Sequence, residues 1–304
     1  MDTPRIGLAL GGGGMKGLAH VGALSVLEEM GIQPNIIAGC SIGAVIGAFY
    51  ASGYRAEHMS YILKSSPPAS LFTWRFDGLG LFDVSRFEDF LYQHLGNKRI
   101  EQLPIPLALI TSDLETGNEV VLEEGPLVPA VLASSAVPGI FPPVEIEGRL
   151  LVDGGLINNL PISVLKARQV QYSIAIRLFK KYIWNQVQEL GKRAHGEADQ
   201  DTQHVIERVQ RAMLSGMLDR VRERARKHIP MAFYIIKRSL DIVIAHHEEV
   251  QLHQSPPDIL IEPEVTDIGI LDFKEDPDLV MERGIQAARA VQSQVTRLLH
   301  ASPS

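Results

Sequence analysis

The sequence predicts an α/β fold, most simply a single α/β domain with an inserted or appended helical portion. Over roughly the first 178 residues, short apolar runs suited to buried strands alternate with segments of helical periodicity. The first two runs, Ile6–Leu10 and Ile36–Ala38, each lead into a glycine-containing turn and then a helical pattern. Strand, turn and helix in this order are typical of a βαβ unit, whose parallel strands end at the same edge of the sheet.

Composition limits the class of protein. The chain has 304 residues, of which 45% are hydrophobic, enough for one large core. A formal net charge of −7 makes nucleic acid a poor partner. The single cysteine, the absence of a signal-peptide pattern at the N-terminus and the lack of an uncharged apolar run of about 18 residues together predict a cytoplasmic protein.

The glycine-rich turn after the first run admits three interpretations. A phosphate-binding P-loop requires Ser or Thr after its lysine, whereas Gly17 follows Lys16. A dinucleotide-binding loop fits the spacing of Gly12, Gly14 and Gly17, but the second strand lacks the acidic residue that binds a ribose. A nucleotide-binding oxidoreductase is therefore a weakened alternative.

The third interpretation is an oxyanion hole, in which glycine amides bind the negative charge that develops during acyl transfer. Glycine suits this role because bare backbone can approach a substrate carbonyl. The amides expected to contribute are those of Gly11, Gly12, Gly13 and Gly14. Lys16 is either a source of positive potential or a lysine that packs the loop.

The second turn, Gly39–Gly43, reads Gly-x-Ser-x-Gly between a predicted strand and a predicted helix. This is the setting of a nucleophile elbow, in which a strained serine is held above the sheet between small neighbours. The simpler interpretation is a small-residue turn. Because both strands of a βαβ unit end at one edge, we expect Ser41 to lie beside the glycine-rich turn.

The rest of the chain follows the same pattern. Aromatic residues Phe72, Trp74, Phe76 and Phe82 are expected to be core more than cleft lining. Further strands are predicted at Pro106–Thr111, Glu119–Leu122, Tyr172–Ile176 and Asp258–Ile261, with a hairpin of Val144–Ile146 and Leu150–Val152. Further helices are predicted to start near Asp83 and Ile162 and to cover Val128–Pro138, Met231–Leu252 and Asp278–Leu299.

Asp153 is the second residue that suggests chemistry, because it ends a predicted strand and precedes Gly154 and Gly155. The simpler interpretation is an Asp-Gly turn. A serine nucleophile needs a base, yet no histidine lies on a loop after a late strand, as a hydrolase triad requires. His20 and His246 fall in predicted helices, which leaves a carboxylate acting directly on Ser41, with Asp153 the best placed.

Four stretches of this chain together resemble the ordered blocks of patatin-like phospholipases, over about residues 5–178. They are Gly11–Gly17, Gly39–Gly43, Ala133–Pro138 with Phe141–Pro143, and Asp153–Gly155. The resemblance implies a Ser–Asp dyad of Ser41 and Asp153, an oxyanion hole on the glycine loop (Gly11–Gly14), and lipid acyl hydrolase activity. It also implies a three-layer α/β/α sandwich with a mainly parallel central sheet, without metal or cofactor. Cys40 stands where the family often has threonine, a change expected to be harmless.

The predicted domain organisation is a patatin-like catalytic core at 1–178, a charged helical insertion at 179–230, and helices with a last strand completing the domain at 231–304. Residues 204–228 carry apolar side chains at helical spacing and a cluster of arginines at their C-terminal end. A solvated surface helix explains this pattern. The alternative is a lid or an interfacial helix in peripheral contact with the inner membrane surface.

The function predicted from these observations is a serine lipid acyl hydrolase that acts on a lipid or lysophospholipid ester. Ser41 would attack the ester carbonyl, Asp153 would accept the hydroxyl proton and the glycine loop would hold the oxyanion. Two alternatives keep the same residues: an acyltransferase with the same covalent intermediate, and a lipid-binding or regulatory module without catalysis.

Overall fold

The computed structural model describes residues 4–66, 68–74, 80–179, 231–269, 272 and 275–300. The predicted segment 204–228 and the residue Phe76 lie outside these ranges, so the hypothesis of a lid or membrane contact stays a prediction. None of the helices in the described ranges is both long enough and apolar enough to cross a membrane. The cytoplasmic location stays a prediction as well.

The core of the fold is a mixed sheet. Its strands are β1 (Ile6–Leu10), β2 (Ile36–Cys40), β5 (Leu107–Asp113), β6 (Glu119–Leu122), β7 (Val144–Ile146), β8 (Arg149–Asp153), β9 (Tyr172–Ile176) and β10 (Ile259–Ile261). The strand order is β10-β9-β1-β2-β5-β8-β7, with β6 also paired to β5. Strands β10, β9, β1, β2 and β5 are parallel, whereas β6, β7 and β8 are antiparallel to their neighbours. A small separate ribbon pairs β3 (Thr73–Trp74) with β4 (Phe82–Asp83).

Helices cover both faces of the sheet. They are α1 (Leu18–Glu29), α2 (Ile42–Ala51), α3 (Ala56–Ser65), α4 (Pro68–Leu71), α5 (Ser85–Leu95), α6 (Leu127–Ser134), α7 (Ile162–Ala167), α8 (Met231–Gln254), α9 (Pro277–Ala290) and α10 (Gln292–His300). Side chains such as Leu8 and Ile37 join one apolar core with α1, α2 and α9. Their strand neighbours, such as Ala9 and Ala38, point to the opposite face and pack with α7. The predicted α/β fold is confirmed.

The chain forms two compact units. Residues 1–180 and 247–304 form the first unit, which contains the whole sheet, and residues 181–246 form the second. The predicted boundaries at 178 and 230 stay a prediction.

Most predicted elements are present, and two helices differ. The helix predicted over Val128–Pro138 ends earlier, at Ser134. The segment predicted as a single helix over Asp278–Leu299 is two helices, α9 and α10, separated at Val291. Pro277 begins α9 as expected, and the Asp276 side chain accepts a hydrogen bond from the amide of Asp278. Phe82 is buried, as the core interpretation predicts, whereas Phe72 is half-buried and its ring packs against Phe82, Phe87 and Phe141.

Candidate active site

Ser41 occupies a strained turn between β2 and α2. Its backbone has φ 55° and ψ −124°, a conformation that side-chain-bearing residues rarely adopt. The chain can pass so close to β1 because position 43 is glycine: a Cβ there would overlap the carbonyl oxygen of Leu10. The serine is 9% exposed, so it is close to the surface of the core rather than on an open loop. This is the local geometry of a nucleophile elbow.

Two serines at the end of α6 hold the elbow in place. The hydroxyl of Ser134 accepts a hydrogen bond from the amide of Ser41 at 3.1 Å and donates one to the carbonyl of Ile110 at 2.6 Å. The hydroxyl of Ser135 donates to the carbonyl of Ser41 at 3.4 Å. The sequence analysis gave these serines no role of their own. The available signal was a pair of serines ending an otherwise apolar helix.

Strand register brings Asp153 to Ser41. Cys40 pairs with Ile110 on β5, and Thr111, the next residue of β5, pairs with Asp153 on the antiparallel strand β8. Asp153 therefore lies in the row immediately beyond the end of β2, where the chain turns at Ser41. The Ser41 hydroxyl is near enough to the Asp153 carboxyl group to lower its pKa.

The Asp153 side chain is 6% exposed and accepts hydrogen bonds from two donors. The amide of Gly155 donates to its Oδ1 at 2.8 Å, and the thiol of Cys40 donates to the same oxygen at 3.7 Å. Burial raises the pKa of Asp153 to about 6, and the neighbouring Ser41 hydroxyl, the Gly155 amide and the Cys40 thiol oppose the rise. Burial and the nearby carboxylate raise the pKa of the Cys40 thiol, which keeps it protonated as a donor. Cys40 thus contacts the site directly, whereas the sequence analysis expected only that cysteine at this position is harmless.

The glycine loop divides into two halves. The amide of Gly11 donates to the carbonyl of Ile176, and that of Gly12 donates to the carbonyl of Asn159, both at 3.1 Å. Within the described ranges, no acceptor is found for the amides of Gly13 and Gly14. The prediction that all four amides line an oxyanion hole is therefore too broad, because two of them are used to anchor the loop.

The anchored half of the loop lies directly beside the elbow. A Cβ on Gly12 would stand 3.1 Å from the Cβ of Ser41 and would overlap the Asn159 side chain. On the other side, Nε2 of the fully buried His20 is 2.7 Å from the carbonyl oxygen of Gly11. Burial lowers the pKa of His20 to about 4, so near neutral pH the ring is uncharged and donates from Nε2. Its contact makes His20 a residue that fixes the loop.

The other predicted motif residues surround this centre. Lys16 is 8% exposed, and its Nζ lies 4.7 Å from the centre of the Phe179 ring, an arrangement that favours the packing interpretation. Gly17, Gly39 and Gly154 each lie so close to a neighbouring segment that a Cβ would overlap it. The sequence therefore brings all four blocks to the same edge of the sheet.

Comparison with known proteins identifies a family. The model of the patatin-like phospholipase family matches residues 8–166. An uncharacterised NTE family protein of Mycobacterium tuberculosis is 37% identical over 179 residues, which cover 58% of this chain and 50% of that protein. Another, from Mycobacterium bovis, is 30% identical over 290 residues, or 94% of this chain and 46% of that protein.

A relative with a named activity is a much longer protein. The lysophospholipase NTE1 of Candida albicans is 31% identical over 186 residues, which cover 58% of this chain and 13% of that protein. The chain spans about half the length of the mycobacterial relatives it matches.

Proposed function

The chain belongs to the patatin-like phospholipase family, and we propose that it is a serine-dependent lipid acyl hydrolase that works through a Ser41–Asp153 dyad. The observation that carries this proposal is the position of the buried Asp153 carboxyl group beside Ser41, which stands at a strained elbow next to the glycine loop. A carboxylate is a weak base for an alcohol. Burial, which raises its pKa to about 6, makes Asp153 a stronger base than an exposed aspartate.

In the first half-reaction, Oγ of Ser41 attacks the ester carbonyl carbon and its proton passes to Asp153. The negative charge moves to the carbonyl oxygen, and the amides of Gly13 and Gly14 are the donors we assign to it. Collapse of this intermediate breaks the ester bond, the departing alcohol takes the proton from Asp153, and the acyl group remains on Ser41.

In the second half-reaction, water takes the place of the alcohol. Asp153 accepts a proton from the water as its oxygen attacks the acyl carbon, and the same amides hold the oxyanion. Release of the fatty acid returns the proton to Oγ of Ser41 and restores the free enzyme. Both steps use the same three groups, so loss of any one affects the whole cycle.

A lysophospholipid is the substrate we propose. This choice rests on the name of the fungal relative, a lysophospholipase, whose matching part is 31% identical to this chain. The assay is release of fatty acid from a monoacyl phospholipid and from the diacyl phospholipid with the same head group. We expect faster release from the monoacyl lipid. Equal or faster release from the diacyl lipid would contradict the choice of substrate and leave the dyad untouched.

The dyad is tested by covalent labelling with a fluorophosphonate, read as intact-protein mass. Wild type should gain one adduct, and Ser41→Ala should gain none. We expect Asp153→Asn to label at least about a thousandfold more slowly, as removal of a base from a hydrolase unit does. Asp113→Asn is the matched control, because Asp113 also ends a strand at this sheet but caps its own turn through the amides of Glu115 and Thr116.

Each outcome has a distinct meaning. Rapid labelling of Asp153→Asn would keep Ser41 as the nucleophile and refute Asp153 as its base. A wild-type protein that neither labels nor releases fatty acid from any ester would refute the hydrolase and favour a binding module.

A further inference from the structure

A buried group of charges lies beside the segments that anchor the glycine loop. Arg177 follows the last residue of β9 and is 6% exposed, and Glu248 on α8 is 1% exposed. Nε of Arg177 lies 2.5 Å from Oε1 of Glu248. The other guanidinium nitrogens reach Glu249 at 2.7 Å and Glu262 at 3.2 Å, and both of these carboxylates are about one-third exposed.

The second oxygen of Glu248 is used differently. Oε2 accepts a hydrogen bond of 2.6 Å from Nδ2 of Asn159. One buried carboxylate on α8 therefore joins Asn159, in the loop before α7, to Arg177, at the end of β9. Glu248 thus links two separate segments of the chain.

The two segments that Glu248 joins are those that anchor the glycine loop. Gly12 donates its amide to the main-chain carbonyl of Asn159, and Gly11 donates to the carbonyl of Ile176, the residue before Arg177. The Asn159 side chain also lies against Gly12 and against Gly155, whose amide binds Asp153. Both anchors of the loop are thus attached to residues that Glu248 holds.

We propose that Glu248 is a positioning residue for the reaction: by holding Asn159 and Arg177 together, it fixes Gly11 and Gly12 so that the amides of Gly13 and Gly14 point at the reacting oxygen. This inference rests on the proposed hydrolase function. A buried ion pair adds little net stability compared with an apolar pair, so stability alone gives a weak reason for one here. An oxyanion hole, by contrast, depends on donors held within a few tenths of an ångström.

The test compares Glu248→Gln with Glu249→Gln in the full chain. Glutamine at 248 keeps the shape but offers a single acceptor oxygen, so it loses either Asn159 or Arg177. Glu249 also binds Arg177 from the same helix, but with a carboxylate about one-third exposed, whereas the bond to Asn159 comes from Glu248; Glu249→Gln is therefore the matched control. With a soluble ester, we expect kcat of Glu248→Gln to fall at least about tenfold with KM within twofold, and Glu249→Gln to keep both.

That division between kcat and KM is what distinguishes positioning from general loosening. Donors that act only in the transition state affect kcat and kcat/KM equally. A Glu248→Gln protein that folds and keeps kcat within twofold of wild type would overturn the proposal, as would an equal loss in Glu249→Gln. An inert wild type would refute the hydrolase function instead, so the two failures are distinguishable.

Removing one partner of a buried ion pair can prevent folding. Asn159→Ala avoids this problem, because it leaves the Arg177–Glu248 pair and the carbonyl that anchors Gly12 in place. We expect the same fall in kcat, with KM unchanged. If both single variants fold, the double variant should be no slower than either, since all three lack the same link. Asn159→Ala with kcat within twofold of wild type would overturn the proposal on its own.

Discussion

The conformation of Ser41 is maintained by its neighbours rather than by its own preference. A non-glycine residue at φ 55° costs about 1–3 kcal/mol and persists only where the surroundings determine it. Here the surroundings are two hydroxyls. That of Ser134 accepts a hydrogen bond from the amide of Ser41, and that of Ser135 donates one to the carbonyl of Ser41. The nucleophile therefore depends on a second serine that takes no part in bond making.

We predict that Ser134→Ala weakens both the fold and the site. The change removes the hydroxyl that binds the amide of Ser41 at 3.1 Å and the carbonyl of Ile110 at 2.6 Å. Buried backbone groups left without a partner in this way cost about 1–3 kcal/mol. The elbow can then relax away from the strained turn. We expect a lower free energy of unfolding in urea and at least about tenfold slower fluorophosphonate labelling.

Ser135→Ala is the control for this prediction. Its hydroxyl makes one longer contact, 3.4 Å to the carbonyl of Ser41, and that carbonyl also accepts the amides of Ala44 and Val45. Labelling should stay within about threefold of wild type. Equal effects of the two substitutions would mean that the end of α6, rather than the hydroxyl of Ser134, holds the elbow.

Among the elements, short strands are predicted best. The bounds of β1, β6 and β9 are as the sequence predicts, because a mainly apolar run between polar or glycine residues leaves little choice. The helix predicted over Asp278–Leu299 is wrong in continuity. Its apolar spacing runs through Val291, and nothing in the local pattern marks the end of a helix there.

The residues of the site that belong to a local sequence motif are predictable from the sequence. Ser41, Asp153 and the glycine loop each belong to a motif, whereas their partners belong to none. Ser134 lies 93 residues from Ser41, and Glu248 lies 89 residues from Asn159. Such pairs are set by strand register and helix placement, so they follow only from the fold. The division of the glycine amides has the same origin, since Ile176 and Asn159 become acceptors only when β9 and the loop before α7 are in place.

Helix α2 carries two glycines with different roles, which gives a prediction at the level of one element. Ala at 43 would place its Cβ on the carbonyl oxygen of Leu10, which belongs to the backbone and cannot move without shifting β1. Ala at 47 would meet the side chain of Ile37 at 3.2 Å, a contact that small side-chain shifts relieve. We expect Gly43→Ala to lose soluble expression or to melt at least several degrees lower.

Gly47→Ala should melt within a few degrees of wild type, because the gain in helix propensity, about 1 kcal/mol, offsets the tight contact. Thermal unfolding followed by circular dichroism measures both variants. A Gly43→Ala protein that melts like wild type would show that β1 and α2 can separate, and the close packing we assign to the elbow would be wrong.

For the molecule as a whole, the carboxyl edge of the sheet concentrates buried ionisable groups. Burial raises the pKa of Asp153 to about 6 and that of Glu248 to about 7, and it lowers that of His20 to about 4. In each case burial favours the uncharged form. A charged Asp153 is needed as a base, so the proposed chemistry and the stability of the fold oppose each other at this residue.

This opposition predicts that Asp153→Asn is more stable than wild type above pH 6. A carboxyl whose pKa is raised from 3.8 to about 6 binds its proton more tightly in the folded than in the unfolded state. Between these pH values the folded state holds more protons, so wild-type stability falls as pH rises, by about 3 kcal/mol in all. Asparagine does not titrate, and Glu248 is common to both proteins, so the difference between them isolates Asp153.

Urea unfolding at pH 4 and pH 8 measures this difference. We expect the two free energies of unfolding to lie close together at pH 4 and that of Asp153→Asn to be higher at pH 8. Asp113→Asn should behave in the opposite way. The amides of Thr116 and Glu115 lower the pKa of Asp113, and burial opposes them only in part. The charged form of Asp113 therefore stabilises the fold above pH 4, and the Asp113→Asn substitution destabilises it at pH 8. If Asp153→Asn is no more stable than wild type at pH 8, the carboxylate is not strained by burial, and its strength as a base must have another source.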